Sequence, residues 1–336
     1  LKKYIKLIIG VGEYMFDVTA LGELLIDFAP AGYSKDKNLL FERNPGGAPA
    51  NVLVAISRLG GRDAFIGKVG RDQFGYFLKN VLDQNGINTE GIRFSKEANT
   101  TLTFVQLDEK GDRVFDFYRK PGADTMLKEE EIDYDIIKNS KIFHFGSLSM
   151  TDEPSKSATL KAVEYAKEAG LTVSYDPNLR LSLWKDETHA KKEISRGLKY
   201  TDILKVSEDE LSFLTDKEDP EEGSMELYEM GIKLIAVTLG SRGCYYRCKN
   251  GSGYIGSYDV HAIDTTGAGD AFMGALLYRL CRLGKNPDDI GKDEIEGIAD
   301  FCCAVAALST TKKGGIPSMP CMEKVKSFMD KFAEKR

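Results

Sequence analysis

The chain has 336 residues, of which 42% are hydrophobic and 29% are charged, and its formal net charge is −6. This composition predicts a globular enzyme with one large core, and the acidic balance disfavours nucleic acid as the main partner. No apolar run approaches the roughly 20 residues of a membrane span, and no signal peptide with a cleavage site is evident, so we expect a cytoplasmic protein without a membrane partner. The six cysteines lack metal-ligand spacing and are expected to be reduced.

Strands and helices alternate along most of the chain. Residues 1–14 form a basic extension to which we assign no function, and residues 15–330 form one predicted domain. The predicted strands are 17–26, 63–69, 141–145, 171–176, 202–206 and 233–238, with helices that include 52–59, 72–84 and 153–168. Such alternation predicts a three-layer, doubly wound, mostly parallel sheet, with ligands gathering at the carboxyl ends of its strands.

The region from Thr100 to Arg119 breaks this alternation. It consists of two extended runs around a polar, glycine-containing segment at 108–112, which indicates a β-hairpin. Phe104 and Phe117 are too apolar for a hairpin surrounded by water. We therefore predict a small β-sheet lid, formed by about 28–45 and 98–120, that closes over a pocket. The alternative is an antiparallel extension packed on its own domain.

The segment 44–51 contains two adjacent glycines, Gly46 and Gly47, and ends with Asn51 at the start of an amphipathic helix. Two glycines allow the backbone to approach a small polar ligand closely. The Asn51 amide can both donate to and accept from hydroxyl groups. Taken alone, the segment favours a tight turn followed by a helix start over a ligand site.

The segment 264–270 combines a glycine-rich turn with a carboxylate. Residues 258–263 are predicted to end a strand, and the apolar spacing of 271–280 predicts a helix. Gly267, Ala268 and Gly269 thus lie where free backbone N–H groups and the helix dipole favour an anion. Asp270 is suited to take a proton from a hydroxyl that attacks a phosphoryl group. The alternative is an aspartate that only caps a helix.

Together these motifs resemble the two signatures of the ribokinase-like (PfkB) carbohydrate kinases, and the resemblance extends over 20–320. Within that family the details are most similar to the fructokinase branch, in the segments 20–27, 117–124 and 176–180. The resemblance implies a ribokinase-like fold, the transfer of phosphate from ATP to position 6 of D-fructose, a Mg²⁺ ion and a homodimer through the lid. Asp270 is the implied general base, and Gly267, Ala268 and Gly269 form the implied anion hole.

The resemblance also implies roles for individual residues. The implied sugar ligands are Asp27, Gly46, Gly47, Asn51, Arg119, Asp176 and Asn178. The implied ATP contacts are Arg180, Ser207, Thr238 and Gly240. Glu210 would act on Mg²⁺ through water, and a K⁺ ion would be held by Asp264, Thr266, Ser309, Lys312, Gly314 and Ser318. Ser207 stands where many relatives carry an asparagine, and Lys312 can offer the ion only its backbone carbonyl.

Several alternatives remain at this point. A 2-keto-3-deoxygluconate kinase, a ribokinase or a nucleoside kinase would share these motifs, because one hydroxyl decides such specificity. A non-catalytic sugar or nucleotide sensor is a more distant alternative, since it would not need Asp270. The chain lacks the Walker A lysine motif and the protein-kinase motif set, which disfavours those two phosphoryl-transfer classes.

Overall fold

The structure is a computed structural model that describes residues 14–107 and 113–333. The tip of the predicted hairpin and nearly all of the N-terminal extension lie outside the described residues. The strands are β1 (Phe16–Leu21), β2 (Leu25–Tyr33), β3 (Leu39–Gly46), β4 (Asp63–Gly70), β5 (Asn88–Ser95), β6 (Leu102–Leu107), β7 (Arg113–Tyr118), β8 (Ser140–Gly146), β9 (Thr172–Asp176), β10 (Ile203–Ser207), β11 (Leu234–Thr238), β12 (Cys244–Cys248) and β13 (Gly251–Ile255). The helices are α1 (Ala48–Arg58), α2 (Gln73–Gln84), α3 (Tyr134–Lys138), α4 (Ser155–Glu168), α5 (Glu187–Leu198), α6 (Glu208–Thr215), α7 (Pro220–Glu229), α8 (Ala268–Leu283), α9 (Lys292–Ser309), α10 (Gly315–Ser318) and α11 (Met322–Ala333).

Within the described residues, nine strands form the main sheet in the order β13-β12-β11-β10-β9-β8-β1-β4-β5. The pairs from β5 through to β11 are parallel, whereas β12 and β13 add an antiparallel hairpin at one edge. Successive side chains of a strand point to opposite faces of the sheet and enter two separate apolar clusters. Helices cover the sheet on both faces. The predicted three-layer, doubly wound fold is confirmed.

Helix α8 shows how local sequence produces this packing. Met273, Leu277 and Leu280 recur at helical spacing and are buried in the cluster that α8 shares with α1 and α9. Burying each such side chain contributes roughly 2 kcal/mol relative to leaving it exposed. The helix ends at Gly284, whose φ of 66° lies in the left-handed region that glycine adopts readily. The apolar face thus fixes the helix on the sheet and thereby the position of its first turn.

The predicted lid is a separate four-stranded sheet in the order β3-β2-β6-β7. Its strands pair antiparallel except for β2 and β6, which run parallel. Phe28 stacks on Phe104 with ring centroids 5.0 Å apart, and Phe41 packs edge-on against Phe104 at 5.5 Å. These aromatic contacts explain why the hairpin runs are more apolar than a solvated hairpin requires.

Two predicted strands differ from the structure. The strand predicted over 17–26 is broken, because β1 ends at Leu21 and β2 starts at Leu25 in the other sheet. A Cβ at Gly22 would lie 2.5 Å from the Pro49 side chain, so this glycine lets the chain cross over the start of α1. The second strand, over 258–263, is absent from the described structure; there Tyr258 packs on two aromatic rings of α11 instead.

Among the described helices, none is long and apolar enough to cross a bilayer.

Candidate active site

The turn before α8 is built around Gly267. Its φ of 77° is left-handed, and a Cβ there would lie 3.0 Å from the Cα of Gly315. The Ala271 N–H donates to the Gly267 carbonyl at 2.8 Å, and the Ala268 N–H donates to the Thr265 carbonyl at 3.2 Å. The Ala268 N–H is therefore bonded within the turn, although the sequence had indicated that Ala268 belongs to the anion hole. Within the described part of the chain, no side chain caps the helix start.

Asp270 lies in the first turn of α8 and is buried. Its Oδ2 accepts a hydrogen bond of 2.7 Å from the Asn51 Nδ2 at the start of α1. Burial raises the pKa of Asp270, whereas the Asn51 hydrogen bond and the positive charges of Lys205 and Arg180 lower it and only partly offset that rise. A carboxylate with a raised pKa is a stronger proton acceptor, as a general base requires.

A polar cavity of about 330 Å³ opens in front of Asp270. It lies between the two sheets, because β2 contributes Asp27 and the main-sheet loops contribute the opposite wall. The predicted site residues that line it are Asp27, Gly47, Asn51, Asn178, Arg180, Gly267, Gly269 and Asp270. Thr266, a predicted cation ligand, lines it as well. Residues without a predicted site role complete the lining: Glu23, Leu25, Ala48, Phe117, Leu148 and Thr265.

Asp27 reaches this cavity from the lid and not from the main sheet, which corrects the predicted position at a main-sheet strand end. Burial raises its pKa to about 6, against the positive charge of Arg180. A Cβ at Gly46 would overlap the Asp27 carboxylate, so Gly46 makes room for this side chain and does not itself line the cavity. Gly47 has a φ of 114° and packs against the Glu23 carbonyl.

A second cavity, of about 540 Å³, lies on the other side of the α8 turn. Its walls are largely apolar, with Val260, Phe272 and Ala306 among them, and the predicted ATP contacts Thr238 and Gly240 lie at its rim. Thr265 and Gly269 line both cavities. The turn that carries Asp270 is therefore the boundary between a polar and an apolar compartment.

Ser207, a predicted ATP contact, and Glu210, predicted to act on Mg²⁺ through water, together cap the start of α6. The Ser207 Oγ accepts from the Glu210 N–H at 3.2 Å, and a Glu210 carboxylate oxygen accepts from the Ser207 N–H at 2.8 Å. The other carboxylate oxygen accepts from the Leu179 N–H at 2.8 Å. Glu210 thus holds the 178–180 segment at the polar cavity. Its oxygens retain lone pairs for a water molecule, and oxygen ligation through water fits Mg²⁺. Ser207 lies outside the linings of both cavities.

Arg119 is buried beside the polar cavity but does not line it. Its guanidinium donates to Asp124 at 2.7 Å, to the Thr151 hydroxyl at 2.8 Å and to the Leu148 carbonyl at 2.8 Å. A direct sugar contact would require some of these bonds to break. The position of Arg119 instead supports Leu148, whose side of the cavity faces the lid.

Asp176 is also absent from the cavity lining, because its carboxylate pairs with a residue that the sequence analysis missed. The Lys205 Nζ lies 3.0 and 3.2 Å from the two carboxylate oxygens, and both side chains are buried. Burial raises the pKa of Asp176 to about 7, while the positive charge of Lys205 lowers it. A lysine in the middle of an otherwise apolar strand was the available signal.

Glu23 is the second missed residue. It is buried, and its Oε1 accepts from the Ala48 N–H at 2.9 Å, at the first turn of α1. Among the described residues, nothing hydrogen-bonds to its Oε2. Burial raises the pKa of Glu23 to about 7. A buried acceptor without a partner in the lining of a cavity is a position for a ligand hydroxyl.

The predicted cation residues lie on two segments that the structure joins, 264–266 and 309–318; Ser309 ends α9 and Ser318 ends α10. The Asp264 carboxylate accepts from the Thr266 N–H at 2.7 Å and from the Gly314 N–H at 2.9 Å. The Thr310 carbonyl accepts from the Asp264 N–H at 3.0 Å. The Lys312 side chain is exposed, and the charge of Lys324 lowers its pKa, so this ammonium lies outside the junction.

A helix terminus that carries a buried carboxylate, placed between a polar and a largely apolar cavity, defines a phosphotransferase of the α/β class. The chain matches the model of the pfkB family of carbohydrate kinases over residues 15–322, and it belongs to this family. It is 46% identical over 320 residues to the probable fructokinase-4 of Arabidopsis thaliana, covering 93% of this chain and 96% of that one.

Two solved structures are similar as well. One is the fructokinase of Xylella fastidiosa with bound ATP, with a TM-score of 0.88 and 32% identity, covering 94% of this chain and 99% of the other. The second is a double mutant of the fructokinase of Vibrio cholerae O395 in its fructose, ADP and potassium ion bound form. Its TM-score is 0.84 and its identity 35%, covering 95% of this chain and 99% of the other.

Proposed function

We propose that this protein transfers the γ-phosphoryl group of ATP to D-fructose, producing ADP and D-fructose 6-phosphate. The observation that carries the proposal is the α8 turn, which borders both cavities and presents the buried Asp270 at that border. A sugar fits the polar cavity because its lining offers carboxylate and amide groups to hydroxyls. A nucleotide base fits the larger, more apolar cavity. The named fructokinases among the relatives and the structural neighbours support this acceptor.

The proposed transfer is in line. Asp270 takes the proton from the C6 hydroxyl, and the resulting oxygen forms a bond to the γ-phosphorus. The bond from that phosphorus to the bridging oxygen breaks, and its electron pair stays with ADP. Backbone N–H groups of the first α8 turn, at Gly267, Gly269 and Asp270, offset the negative charge that develops, while Ala268 keeps the turn closed. Asn51 holds the Asp270 carboxylate in place.

Mg²⁺ is the proposed divalent cofactor. Bound with ATP, the ion would supply positive charge against the phosphates. Glu210 would hold one of its water ligands, and the same carboxylate anchors the segment that carries Asn178 and Arg180 through Leu179. Arg180 lines the polar cavity, where its positive charge would face the phosphoryl group in transfer.

A K⁺ ion is proposed behind the α8 turn. The joined segments supply the Asp264 carboxylate and backbone oxygens, and hard oxygen ligands suit such an ion. The Ser318 hydroxyl, which donates to the Gly315 carbonyl at 2.8 Å, is a further proposed ligand. Among the structural neighbours, the Vibrio cholerae fructokinase contains a potassium ion. The test is kcat/KM in Tris buffer with KCl, NaCl or choline chloride at fixed ionic strength. Equal kcat/KM values in all three salts would contradict the proposed K⁺ site.

A homodimer through the lid is proposed from exposed apolar side chains. Among the described lid residues, five large ones are exposed, some of them by more than half: Tyr33, Leu39, Leu40, Phe41 and Tyr118. Sedimentation of the wild type, Leu40→Glu and the control Met230→Glu, an exposed methionine beyond the lid, tests the dimer. We expect only Leu40→Glu to be monomeric; a monomeric wild type would contradict the proposal.

The cytoplasmic location stays a prediction, which cell fractionation would test.

The acceptor is tested by ADP release with fructose, ribose, 2-keto-3-deoxygluconate and adenosine. We expect the highest kcat/KM for fructose, and phosphorus NMR of the product should place the phosphate on C6. Phosphate on C1, or a higher kcat/KM for another acceptor, would overturn the choice of substrate and leave the kinase assignment intact. Absence of turnover with all four acceptors would favour the sensor instead.

A further inference from the structure

Lys205 occupies an unusual position in the main sheet. It is the third residue of β10, between Leu204 and Val206, which are fully buried, and it is only 4% exposed itself. Its ammonium pairs with the equally buried Asp176. Removing two charges from water is so costly that such a pair stabilises a fold less than packed apolar residues would. The pair therefore points to a role beyond folding.

The ammonium reaches the turn that separates the two cavities. A Cβ built on Gly269 would lie 2.9 Å from the Lys205 Nζ and 3.5 Å from its Cε. Only a residue without a side chain allows the lysine to approach the α8 backbone this closely. Since Gly269 lines both cavities, Lys205 contacts the place where a phosphoryl group would pass from one to the other.

Negative charge gathers around this place. Several carboxylates interact electrostatically with one another or with Lys205: Asp27, Asp176, Glu210 and Asp270. A bound triphosphate would add further negative charge. Lys205 carries a buried positive charge in the middle of this group, and it opposes the effect of burial on the pKa of Asp270.

We propose that Lys205 is a positioning residue for phosphoryl transfer: Asp176 orients its ammonium, which supports the first turn of α8 at Gly269 and supplies the positive charge that allows the Asp270 carboxylate and the triphosphate to lie side by side. The inference rests on the proposed phosphoryl transfer and deepens it. It assigns Asp176 to orienting Lys205 and not to a direct sugar contact.

The test is a cycle of Lys205→Met, Asp176→Asn and the double variant. The control is Lys68→Met with Glu131→Gln, which removes another lysine–carboxylate pair, in which the buried Lys68 of β4 lies 2.6 Å from Glu131. We expect Lys205→Met to lower kcat by about tenfold to a hundredfold and to raise KM for MgATP more than KM for fructose. The control variant should keep both constants within about twofold, because the Lys68 ammonium bonds to Glu131 and the Met126 carbonyl, and neither of these residues lines a cavity.

The double variant separates the proposed role from simple charge balance. If Lys205 only neutralises Asp176, adding Lys205→Met to Asp176→Asn leaves kcat unchanged, and that result would overturn the proposal. We expect a further loss of about tenfold instead. The double variant removes both charges of the Lys205–Asp176 pair, so it also provides a folded protein if Lys205→Met alone does not fold.

The pH profile gives an independent readout. Loss of a neighbouring positive charge should move the acid limb of kcat to higher pH, because the pKa of Asp270 then rises. Lys205→Met leaves the other groups that act on Asp270 in place. They lie on α1, β2, β9 and the segment after β9: Asn51, Asp27, Asp176, Asn178 and Arg180. An acid limb at the wild-type position would contradict the proposal.

Calorimetry with MgATP, without sugar, distinguishes this inference from the choice of acceptor. If the wild type binds MgATP and phosphorylates another of the four acceptors instead of fructose, only the proposed acceptor is wrong. The affinity of Lys205→Met for MgATP then decides the inference alone: weakening of about fivefold or more supports it, and an unchanged affinity overturns it.

Discussion

Two helix starts in this molecule carry an aspartate in different ways. Helix α2 follows Asp72, whose Oδ1 accepts from the N–H groups of Phe74 and Gly75 at 3.0 and 2.9 Å. Helix α8 follows Gly267, which has no side chain to offer, and its aspartate lies inside the first turn at position 270. One aspartate satisfies the helix N–H groups, whereas the other leaves them to a ligand.

The pKa shifts of the two carboxyl groups follow from this difference. Burial would raise the pKa of Asp72, but hydrogen bonds from Thr100, Gly75 and Phe74 outweigh it and hold the pKa below the ordinary value. For Asp270 burial prevails, and the pKa is raised. A carboxylate stabilised by backbone donors serves the fold, and one that is short of donors retains its affinity for a proton.

The largest effect is expected for Asp270→Asn. An amide cannot take the proton, so kcat should fall by about 10²–10⁴-fold. The shape of the side chain is kept, so fructose binding and unfolding temperature should change little. Steady-state kinetics, calorimetry with fructose and a thermal melt check the three quantities. A correctly folded variant with near-normal kcat would show that Asp270 is not the general base.

Gly267→Ala should give the next largest effect. Alanine at a left-handed φ costs about 1–2 kcal/mol, and the new methyl group would lie 3.0 Å from the Gly315 Cα. The turn must shift, so we expect kcat to fall at least about tenfold.

Gly284→Ala is the matched control for that variant. Gly284 has a φ of 66° at the other end of α8 and has open space around it. Both variants should lose similar stability in urea unfolding, and only Gly267→Ala should lose kcat. Equal kcat in the two would mean that the turn has no part in the transfer step.

The sequence alone was sufficient for the parts of the site that depend on local pattern. Apolar periodicity placed the parallel strands and α8, and the glycine turn marked the position of Asp270. The sequence could not predict contacts between residues that are far apart in the chain. Asp176 lies 29 residues from Lys205, and an isolated lysine in a strand pattern gives no indication of its partner. The direction of Arg119 was equally hidden, because Thr151 and the Leu148 carbonyl are brought to it by folding.

Glu23→Gln should have a moderate effect, and it should be on KM for fructose. The Oε1 can still accept from the Ala48 N–H, but the orphan acceptor Oε2 becomes a donor. Losing a hydrogen bond from a sugar hydroxyl to a carboxylate costs about 1.5 kcal/mol, so KM for fructose should rise about tenfold with kcat nearly unchanged. Glu193→Gln, a buried glutamate on α5, is the control. An unchanged KM for fructose would remove Glu23 from the sugar site.

The smallest effect belongs to Asp72→Ala, and it tests the structural half of the comparison. Loss of the helix cap should cost about 1 kcal/mol of stability at neutral pH and leave kcat unchanged. Because the pKa of Asp72 is lower in the folded state, its contribution is complete above the unfolded pKa and disappears as the pH falls through the folded pKa. Urea unfolding of wild type and variant at pH 7, 5 and below the ordinary value of 3.8 should therefore show a difference that shrinks toward acid. A difference that grew toward acid, or a variant with reduced kcat, would show that these two aspartates do not divide structural and chemical roles between them.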